Sequence, residues 1–134
     1  MIARRSNSPR AKEKRRLYAI GCEWAKKPGV CELTGVPVDP SEAHLHHVFT
    51  AGAFPELYLC PWNWLVLHGM THGEVHEVGY EARKEAIERR FPGLYDLIGE
   101  MRPEWIRKPL DEVEELLGEL PPREEFLRTE MGRI

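Results

Sequence analysis

The six histidines of this 134-residue chain all lie within one stretch of 33 residues. Two of them, His72 and His76, are four residues apart, so on a helix they would lie one turn apart on the same face. Two imidazoles in that arrangement can bind one metal ion, as paired histidines do in several zinc sites. A third ligand must come from another element, and His46 or His47 on a preceding strand is the candidate. The sequence therefore predicts a fold that brings a strand and a helix together around these side chains.

Hydrophobic periodicity and turn residues predict an α+β chain without internal repeats. A helix is predicted over 11–27, followed by a short strand and a Gly/Pro turn within 30–38. Two further strands are predicted over 44–49 and 63–67. They flank a loop rich in Gly, Ala and Pro, and they pair antiparallel if this loop simply returns.

Helices are predicted to fill the rest of the chain. They cover 72–79, 80–90, 94–101 and 109–119. The first begins after Thr71, because the spacing of Thr71 and Glu74 makes a capping box. We expect one compact domain in three segments, which are a basic arm with the N-terminal helix (1–27), a core with the histidines (28–79) and a C-terminal helical extension (80–134).

The net charge of −3 hides an asymmetry along the chain. Residues 1–27 hold nine Lys/Arg against two Glu, a net charge of +7, and the remaining residues therefore sum to −10. Such a basic arm favours a phosphate polymer as partner, through Coulomb attraction and counterion release. A solvated, disordered tail over 1–10 is the alternative interpretation. The candidate contacts in the arm are Arg15, Arg16, Lys26 and Lys27.

The composition argues against a membrane or secreted protein. The longest uncharged stretch, residues 57–73, is seventeen residues long and contains Pro61, Asn63 and two histidines, which are costly in lipid. No apolar segment of a secretory signal follows the basic N-terminus. Three cysteines, an odd number, do not suggest a disulfide framework. We therefore expect a cytoplasmic protein with no membrane partner.

The order of the chemistry-bearing residues is more specific than any one pair. The pair His46-His47 is followed by Asn63 sixteen residues after His47, by His72 nine residues later and by His76 after four more. This pattern resembles the HNH family of nucleases, also called ββα-metal or His-Me finger nucleases. It is closest in spacing to the colicin-like branch, which has a histidine pair and a terminal His-x3-His. The resemblance covers residues 31–76, about a third of the chain.

The resemblance implies a ββα-metal core and a role for each matched residue. His47 would be the general base that takes a proton from the attacking water, since imidazole is mostly neutral near pH 7. His46, His72 and His76 would hold one divalent cation. Asn63 would bond backbone across the loop between the strands and so orient His47. The implied reaction is hydrolysis of DNA phosphodiesters that leaves 5′-phosphate and 3′-hydroxyl ends, as in a phage or mobile-element enzyme.

The identity of the metal stays open at this stage. Three imidazoles favour borderline ions such as Zn²⁺, Ni²⁺ or Mn²⁺ over Mg²⁺, which prefers oxygen ligands. If His76 points away, a site with two histidines and more water could use Mg²⁺ or Mn²⁺. Double-stranded DNA is the expected partner, and a homodimer would permit two coordinated cuts.

Three alternatives accompany this interpretation. Adjacent residues on a regular strand face opposite sides, so His46 and His47 reach one cleft only where the strand end twists. If the strand stays regular, His44 shares the face of His46 and becomes a rival ligand. The chain could also be a metal-stabilised DNA-binding module that has lost catalysis, or a nuclease that acts on RNA with the same centre.

Many HNH relatives carry two Cys-x-x-Cys knuckles that bind a structural zinc, and this sequence departs from them. The corresponding positions read Cys31-x-x-Thr34 and His68-x-x-Thr71, and a threonine hydroxyl is a poor zinc ligand. A site rebuilt from Cys22, Cys31, Cys60 and His68 is one possibility. The other is that the cysteines are free, buried and act as small hydrophobes. Apolar packing would then replace the zinc, from Trp24, Phe54, Trp62, Trp64 and Leu67.

Two arginines follow the predicted metal-binding helix. Arg83 and Arg90 are seven residues apart, hence on one helix face, and they are candidates to contact phosphates beside the cut. The alternative is an ordinary solvated face, on which Glu81, Glu85 and Arg89 form salt bridges.

Overall fold

Six α-helices and one two-stranded antiparallel sheet account for most regular structure of residues 8–131, the residues that this computed structural model describes. In chain order they are α1 (Pro9–Lys26), β1 (Ala43–His47), β2 (Trp64–His68), α2 (Gly69–Glu77), α3 (Tyr80–Arg90), α4 (Leu94–Arg107), α5 (Leu110–Gly118) and α6 (Arg123–Phe126). A π-helical turn follows α6, and two short 3-10 turns lie between the strands. The expected α+β class is confirmed. The start of the basic arm, residues 1–7, lies outside the described residues.

One stripe of α1 packs against the hairpin. The buried residues of this helix, spaced four apart, are Leu17, Gly21 and Ala25. A Cβ on Gly21 would lie 2.3 Å from the ring of Trp64, which is closer than any side chain can come. The absence of a side chain at Gly21 therefore lets α1 lie directly on this indole.

The hairpin pairs β1 with β2 in a regular antiparallel register, in which His46 lies opposite Leu65 and His47 opposite Trp64. The first four residues of β2 are buried on both faces. In contrast, only Ala43 and His46 of β1 are buried, while the other three residues are intermediate or exposed. Because successive side chains of a strand point to opposite faces, neighbouring histidines of β1 point in opposite directions.

The predicted strand within 30–38 is wrong. The segment is a tight turn with a single bridge between Val30 and Pro37. Within it, the N–H of Glu32 donates to the carbonyl of Val66 at 2.7 Å, and the Glu32 carboxylate accepts from the Val66 N–H at 2.9 Å. Glu32 alone thus bonds the backbone N–H and carbonyl that Val66 presents at the outer edge of β2, where a neighbouring strand would otherwise pair.

A buried ion pair ties the end of the chain to this edge. The Nε and Nη2 atoms of Arg123 donate to the Glu32 carboxylate at 2.7 and 2.8 Å, and Nη2 also donates to the carbonyl of Trp64 at 2.8 Å. Helix α6, which supplies Arg123, was not among the predicted helices. Nearby, the indole N–H of Trp24 donates to the carbonyl of Pro121 at 2.8 Å, which joins α1 to the same C-terminal segment.

Two predicted helix boundaries are also wrong. Helix α2 begins at Gly69 rather than at His72, because the side chain of His68 accepts from the N–H of Met70 and caps the helix before Thr71 is reached. Helix α4 continues to Arg107 through Pro103. Pro103 is exposed, so the carbonyl that loses its helical partner can bond water instead.

The core is rich in aromatic side chains and draws on all three segments of the chain. Leu17, Leu65 and Phe126 are fully buried in one apolar cluster. The five side chains expected to replace a structural zinc all belong to or pack against it: Trp24, Phe54, Trp62, Trp64 and Leu67. Among the described residues, no helix is both long and apolar enough to cross a bilayer.

Candidate metal centre

Three of the histidines singled out in the sequence come together in space. His46 lies on β1, while His72 and His76 lie one turn apart on α2. One ring nitrogen from each lies within 4.8 Å of the other two. The Nε2 atoms of His72 and His76 are 2.8 Å apart. Helix α2 begins at Gly69, directly after the last residue of β2. The helix therefore lies across the hairpin face that carries His46.

The His46 ring has the environment of a metal ligand. The residue is 3% exposed, and its Nε2 atom is buried without a hydrogen-bond partner. Burial, together with the charges of His72, His76 and Arg83, lowers the pKa of His46 to about 3. A neutral imidazole with an orphaned nitrogen is costly unless something satisfies it, and a divalent cation between the three rings would do so. The three histidines therefore fit such an ion.

His44 lies beside this triad. Its Nδ1 atom is 2.9 Å from the Nδ1 atom of His72, with ring centroids 5.1 Å apart. His44 and His46 thus both meet α2, as two residues of a regular strand on one face must. The pairing of β1 with β2 stays regular as far as His47, which is the case in which His44 was expected to rival the other ligands.

His47 makes its contacts elsewhere. Its ring stacks on Tyr18 of α1 and on Tyr58 of the loop between the strands, with centroids 5.7 and 5.4 Å apart. Its Nε2 atom lies 3.1 Å from the carbonyl oxygen of Tyr58. Because that oxygen can only accept, Nε2 carries the proton and Nδ1 keeps its lone pair. Burial lowers the pKa of His47, and the Tyr58 carbonyl partly offsets this effect.

The two histidines of the pair still influence each other. The charge of His47 is the smallest of the causes that lower the pKa of His46. The described contacts of His47 are nevertheless with tyrosines and not with the triad. The triad and the candidate base therefore occupy neighbouring environments, one against α2 and one against α1.

Asn63 bridges the loop that separates the strands. It is fully buried, and its Oδ1 atom accepts from the N–H of Phe49 at 2.7 Å. Its Nδ2 atom donates to the carbonyls of Phe49 and Leu57 at 2.9 and 3.3 Å. These bonds hold the segment whose next carbonyl, that of Tyr58, binds His47. The backbone contacts across the loop are those that the resemblance implies for this residue.

The two candidate arginines of α3 have different surroundings. Arg83 is half-buried, and its charge lowers the pKa of His46, so its guanidinium lies near the triad. Arg90 is two turns away and lines a cavity of about 470 Å³ together with Cys31 and Met131. Of the two arginines, only Arg83 therefore lies near the triad. The alternative salt bridge on this helix is present, since Arg89 donates to Glu85 at 2.9 Å.

The four candidate cations of the basic arm lie on or next to α1. The guanidinium of Arg16 pairs with Glu13 and also with Glu114 of α5, at 2.8 Å, and these bonds raise its pKa. Arg16 is thus engaged within the protein. Arg15 is half-buried, Lys26 lies in the last turn of α1, and Lys27 follows it with its side chain exposed.

A rebuilt zinc site does not form among the described residues. The His46, His72 and His76 triad is the only cluster of three or more potential ligands within residues 8–131. Burial raises the pKa of the Cys60 thiol to about 12. The pKa of the Cys31 thiol is lowered instead, because hydrogen bonds from the Thr34 hydroxyl and from the backbone of His68 outweigh its burial. All three cysteines are free, and Cys31 and Cys60 are buried as the second interpretation expected, whereas Cys22 is half-buried.

Sequence reasoning missed several partners of the site. Tyr58 acts through its backbone carbonyl, for which no side-chain pattern exists. Tyr18 sits at helical spacing on α1, where an aromatic residue is most simply read as core. The contact between His44 and His72 had a signal, since strand alternation places His44 on the face of His46.

No protein-family profile matches this chain, and neither a curated protein nor a solved structure matches it.

Proposed function

We propose that this protein is a metal-dependent endonuclease of the HNH type that hydrolyses phosphodiester bonds in DNA. The observation that carries the proposal is the convergence of His46, His72 and His76, with a buried and unpartnered nitrogen on His46. A site built only for stability has no need of the other matched residues. Asn63 and His47 stand at their expected places in the sequence and are tied to the same loop.

In this proposal the three histidines hold one divalent cation, and their imidazole ligands favour Zn²⁺, Ni²⁺ or Mn²⁺. When bound, the cation supplies a Lewis acid for the charge that develops on phosphate oxygens during hydrolysis. The low pKa of His46 keeps that ring neutral, and therefore able to bind a cation, down to weakly acidic pH.

His47 is the proposed general base. The Tyr58 carbonyl holds the proton on Nε2, so Nδ1 is the atom that can accept a proton from water. The lowered pKa of His47 keeps the ring neutral at pH 7, which is the form that a base requires. Asn63 positions His47 and the Tyr58 carbonyl, because it bonds the carbonyl of Leu57 in the same loop.

Arg83 is the proposed phosphate contact near the cut. A guanidinium near the triad can bond phosphate oxygens with the planar geometry that arginine favours. The cations Arg15, Lys26 and Lys27 would add affinity that does not depend on sequence. Double-stranded DNA is the proposed substrate, because the charge of the arm suits a polymer of phosphates.

Plasmid cleavage in the presence of Zn²⁺, Ni²⁺, Mn²⁺ or Mg²⁺ tests the proposal. Wild-type protein should nick or cut the plasmid with at least one ion, and His47→Ala should reduce the rate by a factor of 10² or more. Arg83→Ala should weaken cleavage, while its control on the same helix, Arg89→Ala, should not. Equal rates for wild type and His47→Ala would reject His47 as the base, and no cleavage with any ion would reject the activity.

A second candidate function is favoured by the contacts of His47. Its ring packs against Tyr18 and Tyr58 rather than against the triad, which also suits a metal-stabilised DNA-binding module without catalysis. Such a protein would bind DNA and a metal ion but cut nothing.

Competition between duplex DNA and structured RNA in the cleavage assay separates a DNA nuclease from one that acts on RNA.

A further inference from the structure

We infer that His44 is a positioning residue of the metal centre, which accepts a hydrogen bond from His72 and holds that ring with its Nε2 atom towards the metal. The inference rests on the metal centre of the proposed function and assigns His44 no part in the chemical step.

The two ring nitrogens of His72 each lie close to another histidine. Its Nε2 atom is 2.8 Å from the Nε2 atom of His76, on the side of the triad. Its Nδ1 atom is 2.9 Å from the Nδ1 atom of His44. The two edges of the ring therefore meet two different partners, one inside the triad and one outside it.

This arrangement determines which ring nitrogen of His72 carries the hydrogen. A neutral imidazole has one N–H, and the nitrogen that binds a cation must keep its lone pair. If Nε2 of His72 is the ligand, its Nδ1 carries the hydrogen and donates to the only partner described at that edge, Nδ1 of His44. His44 must then accept at Nδ1 and carry its own hydrogen on Nε2.

The backbone holds His44 in place for this role. It lies on β1 two residues before His46, so both side chains face α2. Its ring lies against the first turn of α2, where a Cβ on Gly69 would be 3.4 Å from its Nε2 atom. One strand thus supplies both a ligand, His46, and the support for another ligand, His72.

His44 is better placed as a support than as a fourth ligand. The nitrogens that converge within 4.8 Å belong to His46, His72 and His76. The Nδ1 atom of His44 faces the opposite edge of the His72 ring from the one that meets His76. Partners of this kind fix the tautomer and orientation of a ligating histidine, and their loss typically weakens metal binding by about 10–100-fold.

The test compares metal binding by wild type, His44→Ala and His44→Asn. The Asn side chain places an amide oxygen near the position of Nδ1, so it can still accept from His72, whereas Ala cannot. Affinity for Zn²⁺ is measured by competition with a chromophoric chelator, and Co²⁺ absorption reports the ligand number. Glu42→Ala, an exposed change just before β1, is the control.

We expect His44→Ala to weaken Zn²⁺ binding by about 10–100-fold with an unchanged Co²⁺ coordination number, and His44→Asn to recover most of the loss. Equal affinity in wild type and His44→Ala would overturn the inference and leave the metal centre intact. A changed Co²⁺ coordination number would overturn it by making His44 a ligand. If wild type binds neither ion, both the inference and the metal centre fail. Normal metal binding without plasmid cleavage would reject the nuclease activity alone.

Discussion

The guanidinium of Arg123 donates two hydrogen bonds to the carboxylate of Glu32, 91 residues earlier in the chain, and both side chains are buried. The same guanidinium bonds the carbonyl of Trp64, and Glu32 bonds both backbone groups of Val66. The outer edge of β2 is therefore closed by one ion pair rather than by another strand.

Loss of one partner of this pair should be far more damaging than loss of both charges. Arg123→Met leaves a buried carboxylate without its cation, and we expect a loss of about 3–5 kcal/mol in the free energy of unfolding, measured by urea denaturation. In the double variant, Glu32→Gln removes the negative charge and keeps an amide oxygen for Val66. The double variant should therefore be more stable than Arg123→Met alone. If it is less stable, the buried charge does not explain the loss.

Asn63→Ala should unfold more readily and lose cleavage. The substitution leaves the half-buried N–H and carbonyl of Phe49 and the buried carbonyl of Leu57 without their bonds to Asn63, and a fully buried group of this kind costs about 1–3 kcal/mol. Urea denaturation measures the stability, and plasmid cleavage at a temperature where the variant is folded measures the activity. Asn63→Asp keeps the acceptor for the Phe49 N–H but loses both donors and buries a charge, so it should also be less stable than wild type. Full activity of a folded Asn63→Ala would remove Asn63 from the proposed mechanism.

Gly21→Ala should destabilise the protein although alanine favours helices. The added methyl group would overlap the indole of Trp64, and such overpacking costs about 1–3 kcal/mol. The control is Gly99→Ala in α4, where no atom lies within 4 Å of the new methyl group, and which should be neutral or stabilising by up to about 1 kcal/mol. Thermal unfolding of the two variants side by side checks the difference, and a stabilised Gly21→Ala would contradict the close packing of α1 on β2.

The metal-free protein should lose stability as the pH falls below about 6.5. The pKa of His46 is about 3 in the folded chain and near 6.5 when unfolded, so the unfolded state binds an additional proton between these values. For one proton, the free energy of unfolding falls by about 1.4 kcal/mol per pH unit in this range. Urea denaturation from pH 4 to pH 7 with a chelator measures the slope. His46→Gln should show a shallower slope, and an equal slope would exclude His46 as its cause.

Local patterns were enough to predict the hairpin and the helix that bears His72 and His76, because both depend on the short-range rules of strand alternation and helical spacing. The backbone contacts of Asn63, in contrast, were implied only by the resemblance to HNH nucleases. The same rules placed His44 and His46 on one face of β1. The metal triad could thus be proposed before its geometry was known, because its ligands lie on neighbouring elements.

The features that could not be predicted from the sequence depend on competition between two local signals or on contacts between residues far apart in the chain. His68 and Thr71 can both cap a helix, and the straight passage from β2 into α2 favours His68. A proline normally ends a helix, yet exposure lets α4 continue through Pro103. The bond between Arg123 and Glu32 has no periodic signal at all, since nothing near either residue indicates the other.

Helix α2 has only one buried side chain, Val75, and so has little apolar attachment to the rest of the protein. In contrast, β2 is covered on both faces along most of its length. Local opening should therefore be easiest at α2, and its amide hydrogens should exchange with deuterated solvent sooner than those of the hairpin. A cation shared between β1 and α2 would slow this exchange selectively, because the helix could then leave the sheet only by breaking the bond to His46 on β1 or both bonds to its own histidines.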